Sequence, residues 1–356
     1  MNKKSLIALV LIFSMLINTF SAYGNEDVEY IKAKATVLKV TTEQQGEVMI
    51  QHVEARILEG IYEGNTVDFS HKLIKGSPYN IALEKNMKIY VQLAMNNGKL
   101  ENISFRDISR EGYITILFAL FFILIILFGG FTGLRSFIAL GITAFCILKI
   151  FMPMIIKGYG FIITTILVCS IIIIVSFILI SGFSKKSFTA IAGTIGGTIL
   201  SGVLALYFGN LIQLTGISDD TIQMLVTHTE LDIDYRGLLY SGITIGVLGA
   251  VMDVSMTITS VICEIKKANS KARISTLFLS GLSVGRDIMA TMTNTLILAY
   301  AGTSLPLLFF FTLSNMPIVD LINSQFLATE ILRSLSGSIG LILTIPITSF
   351  IAAINS

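Results

Sequence analysis

Two hydrophobicity patterns divide the chain. Residues 25–111 alternate apolar and polar side chains with a period of two, as half-buried strands do. Lys34–Val40, Glu47–Gln51, Glu54–Leu58, Thr66–Phe69, Met87–Leu93 and Leu100–Phe105 each read as a short strand. Tyr62-Glu63-Gly64-Asn65 and Asn96-Asn97-Gly98 supply turn signals between them. Such a run predicts a small β-barrel or sandwich, OB-like in character. From 112 to 356 the polar positions thin out. Eight apolar segments can be drawn there, near 113–132, 136–156, 160–181, 188–208, 237–262, 276–299, 303–323 and 334–354. Each is long enough to cross a hydrocarbon core of about 30 Å. The fold class expected is a polytopic α-helical membrane protein of about eight spans, preceded by a small all-β domain.

Composition agrees with that division. Hydrophobic residues make up 53% and charged residues 13%, against about 25% charged in soluble domains. Residues 26–111 hold 24 of the 48 charges and the much longer stretch 112–356 holds 22. A net charge of +2 gives no argument for nucleic acid. None of the three cysteines, Cys146, Cys169 and Cys263, lies in the β-rich stretch, so no disulfide framework is expected there. No His/Cys cluster suggests a metal or cofactor, and His52 and His71 are isolated enough to read as surface residues.

Residues 1–24 resemble a secretory signal: Lys3 and Lys4, the apolar run Leu6–Phe20, then small residues Ala22 and Gly24. An uncleaved short anchor is the alternative, and both place residue 25 onward outside the cytoplasm. With residue 112 outside, the inner loops carry Arg135, Lys185, Lys186, Lys266, Lys267, Lys271, Arg273 and Arg333, and the outer loops only Lys157 and Arg236. Pro306, Pro317 and Asp320 interrupt the seventh segment, which spans or re-enters. Lys149 sits inside the second span, facing the bundle or snorkelling. The outer loop 209–236 is acidic, either as a cation-concentrating vestibule or because outer loops lack positive charge.

Segments five and six hold the chemistry. Both carry SGxxxG, with Gly242 and Gly246 in one and Gly281 and Gly285 in the other, spaced for close helix packing. Such faces suit packing within a chain and between copies equally. Asp253, Arg286 and Asp287 lie near mid-span, where a charge costs about 2.5–3.5 kcal/mol. Arg286 and Asp287 are expected near the midplane, with Asp253 slightly toward the cytoplasm. Asp253 is expected to neutralise Arg286, leaving Asp287 as a surplus carboxylate for a proton or monovalent cation. Thr257, Thr291, Thr293, Asn294 and Thr295 would line it. The structural alternative is an ion pair that merely locks two helices.

Several stretches are similar to the YibE/F-like family of bacterial membrane proteins. They are Asp234-Tyr235-Arg236-Gly237 with Gly249-Ala250-Val251-Met252-Asp253, Gly285-Arg286-Asp287-Ile288-Met289 with Thr293-Asn294-Thr295, and Arg333-Ser334-Leu335-Ser336-Gly337 with Pro346-Ile347-Thr348. Ala290 departs from the glycine the family would favour. The resemblance implies a multi-pass protein of the bacterial cell membrane and supplies no mechanism. Two functions compete. One is a secondary transporter or permease for an unknown small solute or ion. The other is an accessory or sensory protein whose exported β-domain binds a partner. The chain lacks HExxH, GxSxG and Walker A sequences, and enzymatic activity is not expected.

Overall fold

The computed structural model of the chain describes residues 29–96, 99–218, 220–228, 233–314 and 316–355. The signal-like segment, the Asn97-Gly98 hairpin tip and the acidic residues Asp219, Glu230 and Asp232 lie outside them. The chain divides into two compact units, residues 1–124 and 125–356.

Five antiparallel strands form the first unit: β1 (Glu29–Gln45), β2 (Val48–Ile57), β3 (Thr66–Ile74), β4 (Lys88–Asn96) and β5 (Lys99–Ile108). Their order is β3-β2-β1-β4-β5. The long β1 serves both halves of the sheet, pairing with β4 through residues 29–36 and with β2 through residues 35–45. A register shift between Val37 and Lys39 lets it bend between the two. The edge strands approach each other where the His71 and Phe105 rings lie 4.7 Å apart, so the sheet curls into a near-barrel. Ala35, Val37, Val53, Ala55, Ile57, Ile89, Val91 and Leu93 fill it.

Two of the expected strands, 47–51 and 54–58, are one. Gln51 occupies an inward position of β2 and is buried. Its amide donates to Leu83 O at 3.1 Å and accepts from Leu83 N at 2.8 Å, sealing the barrel against the β3–β4 loop. A polar residue on the core face made the alternation look broken. The histidines serve local pairings: His52 meets Ser70 Oγ at 3.2 Å across β2–β3, and His71 Nε2 meets Ile81 O at 2.9 Å.

Helix α1 (Glu111–Phe145) runs through a π-helical turn (Cys146–Phe151) into α2 (Met152–Ile156), 46 residues in all. At about 1.5 Å per residue this is roughly 70 Å, over twice a membrane core. Gly130, with φ +53° and ψ −133°, breaks it. A Cβ on Gly133 would meet Ile125 Cγ2 at 3.2 Å, so the chain turns sharply there into two arms. The remaining helices are α3 (Phe161–Ser181), α4 (Lys185–Leu211), α5 (Asp220–His228), α6 (Tyr235–Ala268), α7 (Ile274–Thr303), α8 (Leu305–Leu313), α9 (Ile318–Asn323) and α10 (Gln325–Asn355). Five helical stretches among the described residues are long and apolar enough to cross a membrane, and α7 with α8, bent by 59°, makes a sixth only if the pair is counted as one span.

Helix α10 is the centre of the second unit, packing on α4, α6 and α7. It runs antiparallel to α4, since Gly193 faces Thr348 and Gly197 faces Thr344. It also runs antiparallel to α7, since Gly337 faces Leu296 and Gly281 faces Ser349. The end of α7 at Thr303 and the start of α10 at Gln325 therefore share one end of the bundle. The interrupted stretch between them forms only α8 and α9, of 9 and 6 residues. The eight expected spans are not reproduced, because segment 303–323 returns to the end it left. Helix α10 accordingly begins at 325 rather than 334, and Arg333 lies toward the Tyr300 end, not the Lys266–Lys267 end. Moving it leaves seven basic residues at one end and three at the other, and the asymmetry persists.

Candidate functional site

On α6, Gly242, Gly246, Gly249, Asp253 and Thr257 are exposed. Their spacings of four, three, four and four place them on one helix face. The opposite face carries Val247, Val251, Val254, Ile258 and Ile262 into the core. On α7, Ser283, Arg286, Asp287, Ala290, Thr291, Asn294 and Thr295 are exposed, while Leu277, Gly281, Gly285 and Leu296 are buried. The two exposed faces border each other. A Cβ on Gly246 would lie 2.8 Å from the Tyr300 hydroxyl, and Gly281 faces Ile262.

Those two contacts fix the levels. Counted from the Ile262–Gly281 contact, Asp253 is nine residues along α6, and Arg286 five residues along α7. At a rise of about 1.5 Å, Asp253 is level with Ala290, roughly 5 Å nearer the Tyr300 end than Arg286 and Asp287. This reverses the expected order of depth. The expected ion pair is also missing: among the described residues, the side chains of Asp253, Arg286 and Asp287 have neither an ion-pair nor a hydrogen-bond partner. The Thr257 hydroxyl donates to the Asp253 backbone carbonyl at 2.8 Å, and Thr291 and Thr295 bond within their own helix. Asn294 is exposed, whereas Thr293 is half-buried with an unpartnered hydroxyl. The structure thus gathers the predicted polar residues other than Thr293 along one α6–α7 surface without joining them.

The glycines separate into two groups. Cβ atoms on Gly281 and Gly285 would meet Ser349 Oγ at 2.6 Å and Ile345 Cβ at 3.2 Å, so α10 packs directly on their backbone. Gly242 has nothing within 4 Å and makes no helix contact here. The tightest seam is one the sequence reading passed over. Cβ atoms on Gly193 and Gly197 of α4 would lie 2.9 Å from the Cβ of Thr348 and of Thr344. Their G-x-x-x-G spacing was the available signal. Ser201 Oγ donates to Ser336 O at 3.2 Å in the same seam, and Ser255 Oγ lies 3.2 Å from Thr348 Oγ1 between α6 and α10.

A second charged group was also missed. Arg333 and Glu330, one turn apart on α10, form an ion pair of 3.4 Å, and the guanidinium lies 6.0 Å from the Tyr300 ring. Arg333 Nε and Glu330 Oε2 are buried without hydrogen-bond partners. Arg333 reads from sequence as a loop residue because the last apolar window starts at 334, and Glu330 is not singled out there. Separately, α3, α4 and α6 line a mostly apolar cleft that is open on one side, with Thr165, Ser170, Thr198, Tyr240, Ser241 and Thr244 as its polar members. None of Asp253, Arg286 and Asp287 reaches it.

No curated protein and no solved structure matches the chain. A family model described as YibE/F-like protein matches residues 117–355. The match takes in the whole α6–α7 surface and the α10 seam, and leaves the β-domain outside it. Over that two-thirds of its length, the chain belongs to the YibE/F-like family.

Proposed function

We propose that the protein is a secondary transporter or permease of the cell membrane, coupled to a proton or monovalent cation through the polar α6–α7 surface. One observation carries this reading. Three ionisable residues, Asp253, Arg286 and Asp287, sit near mid-helix on exposed faces with no partner among the described residues. Each charge at that depth in lipid costs about 2.5–3.5 kcal/mol, so such residues mark ion or substrate paths. Two carboxylates against one guanidinium leave an excess negative charge, which suits a cation or a proton.

The same reading orients the chain. Gly130 splits the first long stretch into two crossings, and α3, α4, α6, α7 and α10 add five more. The basic end faces the cytoplasm by the positive-inside rule, which places the β-domain outside and Asn355 inside.

The test is flux in sealed proteoliposomes with an internal pH dye, under imposed proton and then sodium gradients. Asp253→Asn and Asp287→Asn are compared with wild type at matched insertion. Loss of gradient-driven flux in either variant supports coupling at that carboxylate. Wild-type flux unchanged in both variants overturns it. If no flux occurs and the cellular phenotype survives both substitutions, the activity belongs to the β-domain.

A further inference from the structure

Among the described residues, the α6–α7 surface is unfinished in a single chain. Arg286 needs an anion, and the described residues provide none. The two arms of residues 113–156 contain Arg135 and Lys149 but no carboxylate, and residues 1–24 contain only Lys3 and Lys4 as charges. Neither segment can therefore neutralise Arg286 by folding over it.

A second copy of the same surface can. Adjacent residues on α7 carry opposite charges, and both are exposed. A two-fold axis along the membrane normal preserves depth, so Arg286 of one copy comes level with Asp287 of the other, within about one 1.5 Å residue step. The complement is reciprocal. Close approach is also available: Cβ atoms on Gly242 and Gly249 would meet nothing within 4 Å, and Ala290 is exposed between the charged pair and Asn294.

We infer that two copies of this chain pair through the α6–α7 surface, with Arg286 of each facing Asp287 of the other. Asp253, level with Ala290, then remains as the carboxylate without a cation on each side of the joint, which moves the surplus charge from Asp287 to Asp253. The pairing rests on α6 and α7 spanning the membrane and not on transport, so it is read out without any flux.

The experiment uses the full chain with two affinity tags, reconstituted in lipid at low density and counted by single-molecule photobleaching. Wild type should bleach in two steps. Arg286→Asp alone places two acids opposite two acids, and Asp287→Arg alone places two bases opposite two bases. Each should lose dimers at least ten-fold. Co-expressed, the two variants restore both pairs, and the differently tagged chains should co-purify as heterodimers. Single-step bleaching of wild type, dimers in either single variant at the wild-type level, or no rescue on co-expression overturns the inference. Should the charge variants fail to insert, Ala290→Cys in a Cys263→Ser background decides. Oxidation in native membranes should trap a dimer there and not at exposed Phe350→Cys on α10. A monomer at both positions overturns it.

Discussion

Arg333 Nη1 lies 3.4 Å from Glu330 Oε1, and both side chains remain largely covered, at 29% and 20% exposure. Arg333→Gln leaves a mostly buried carboxylate without its cation. The expected loss is about 1–3 kcal/mol, below the cost of breaking a fully buried pair because some solvent reaches both groups. Thermal unfolding in detergent should show it. The Glu330→Gln/Arg333→Gln double variant should recover part of the loss, and a strictly additive double variant would mean the two groups are not coupled.

Valine scanning should separate the two glycine groups. Gly197→Val drives a branched side chain into Thr344 and Val251 and should cost about 3 kcal/mol or prevent insertion. Gly242→Val enters open space in the single chain and should change its thermal stability by less than about 0.5 kcal/mol. Equal damage at both positions would contradict the packing described for α4 and α10.

Gln51 makes both of its buried hydrogen bonds to the Leu83 backbone. Gln51→Leu strands that N–H and C=O inside the barrel and should destabilise the β-domain by about 2–3 kcal/mol, despite the more apolar side chain. Hydrogen exchange at the Leu83 amide should accelerate first. An unchanged rate would show that the amide does not hold the loop.

Asp107 is held below the ordinary carboxylate value by the Ile108 N–H and then by Arg110, whose Nη1 lies 2.7 Å away. A depressed carboxylate stabilises the fold above its unfolded value, and that contribution is lost as pH falls through the folded one. NMR titration of labelled aspartate should place Asp107 below about 3.9. Arg110→Gln should move it upward, and salt should weaken the effect, since both groups are exposed.

The topology has its own check. Cysteines placed at Thr303 and Ser324 should react with an impermeant maleimide from one side of the membrane, and a cysteine at Ala268 from the other. Labelling of Thr303 and Ser324 from opposite sides would restore the eighth crossing.

The sequence announced the strand–helix division and most elements, because period-two alternation and long apolar runs report burial directly. It was silent where one side chain breaks its element's rule. Gln51 hid the continuity of β2 by being polar and inward-facing. The break at Gly130 lies close to where the apolar segments 113–132 and 136–156 are drawn apart around Arg135, so that turn was legible to within a few residues. Segment 303–323 has the composition of a span, and only the antiparallel packing of α10 on α7 shows that it turns back. The candidate residues Asp253, Arg286 and Asp287 were legible as charges in lipid, but their separation was not. Helix level depends on which side chains interlock, here Ile262 with Gly281 and Gly246 with Tyr300, and spacing along one strand of sequence does not contain that.

The place of α10 also has a consequence for biosynthesis. Among the described helices it is the last to leave the ribosome, yet it covers Gly193 and Gly197 of α4, Gly281 and Gly285 of α7, and Ser255 of α6. Helices α4, α6 and α7 must wait in the bilayer with those small-residue faces uncovered until α10 has been synthesised. Assembly of this unit is thus gated by synthesis of α10, and a ribosome stalled before residue 325 would leave inserted helices that are open to membrane quality-control proteases.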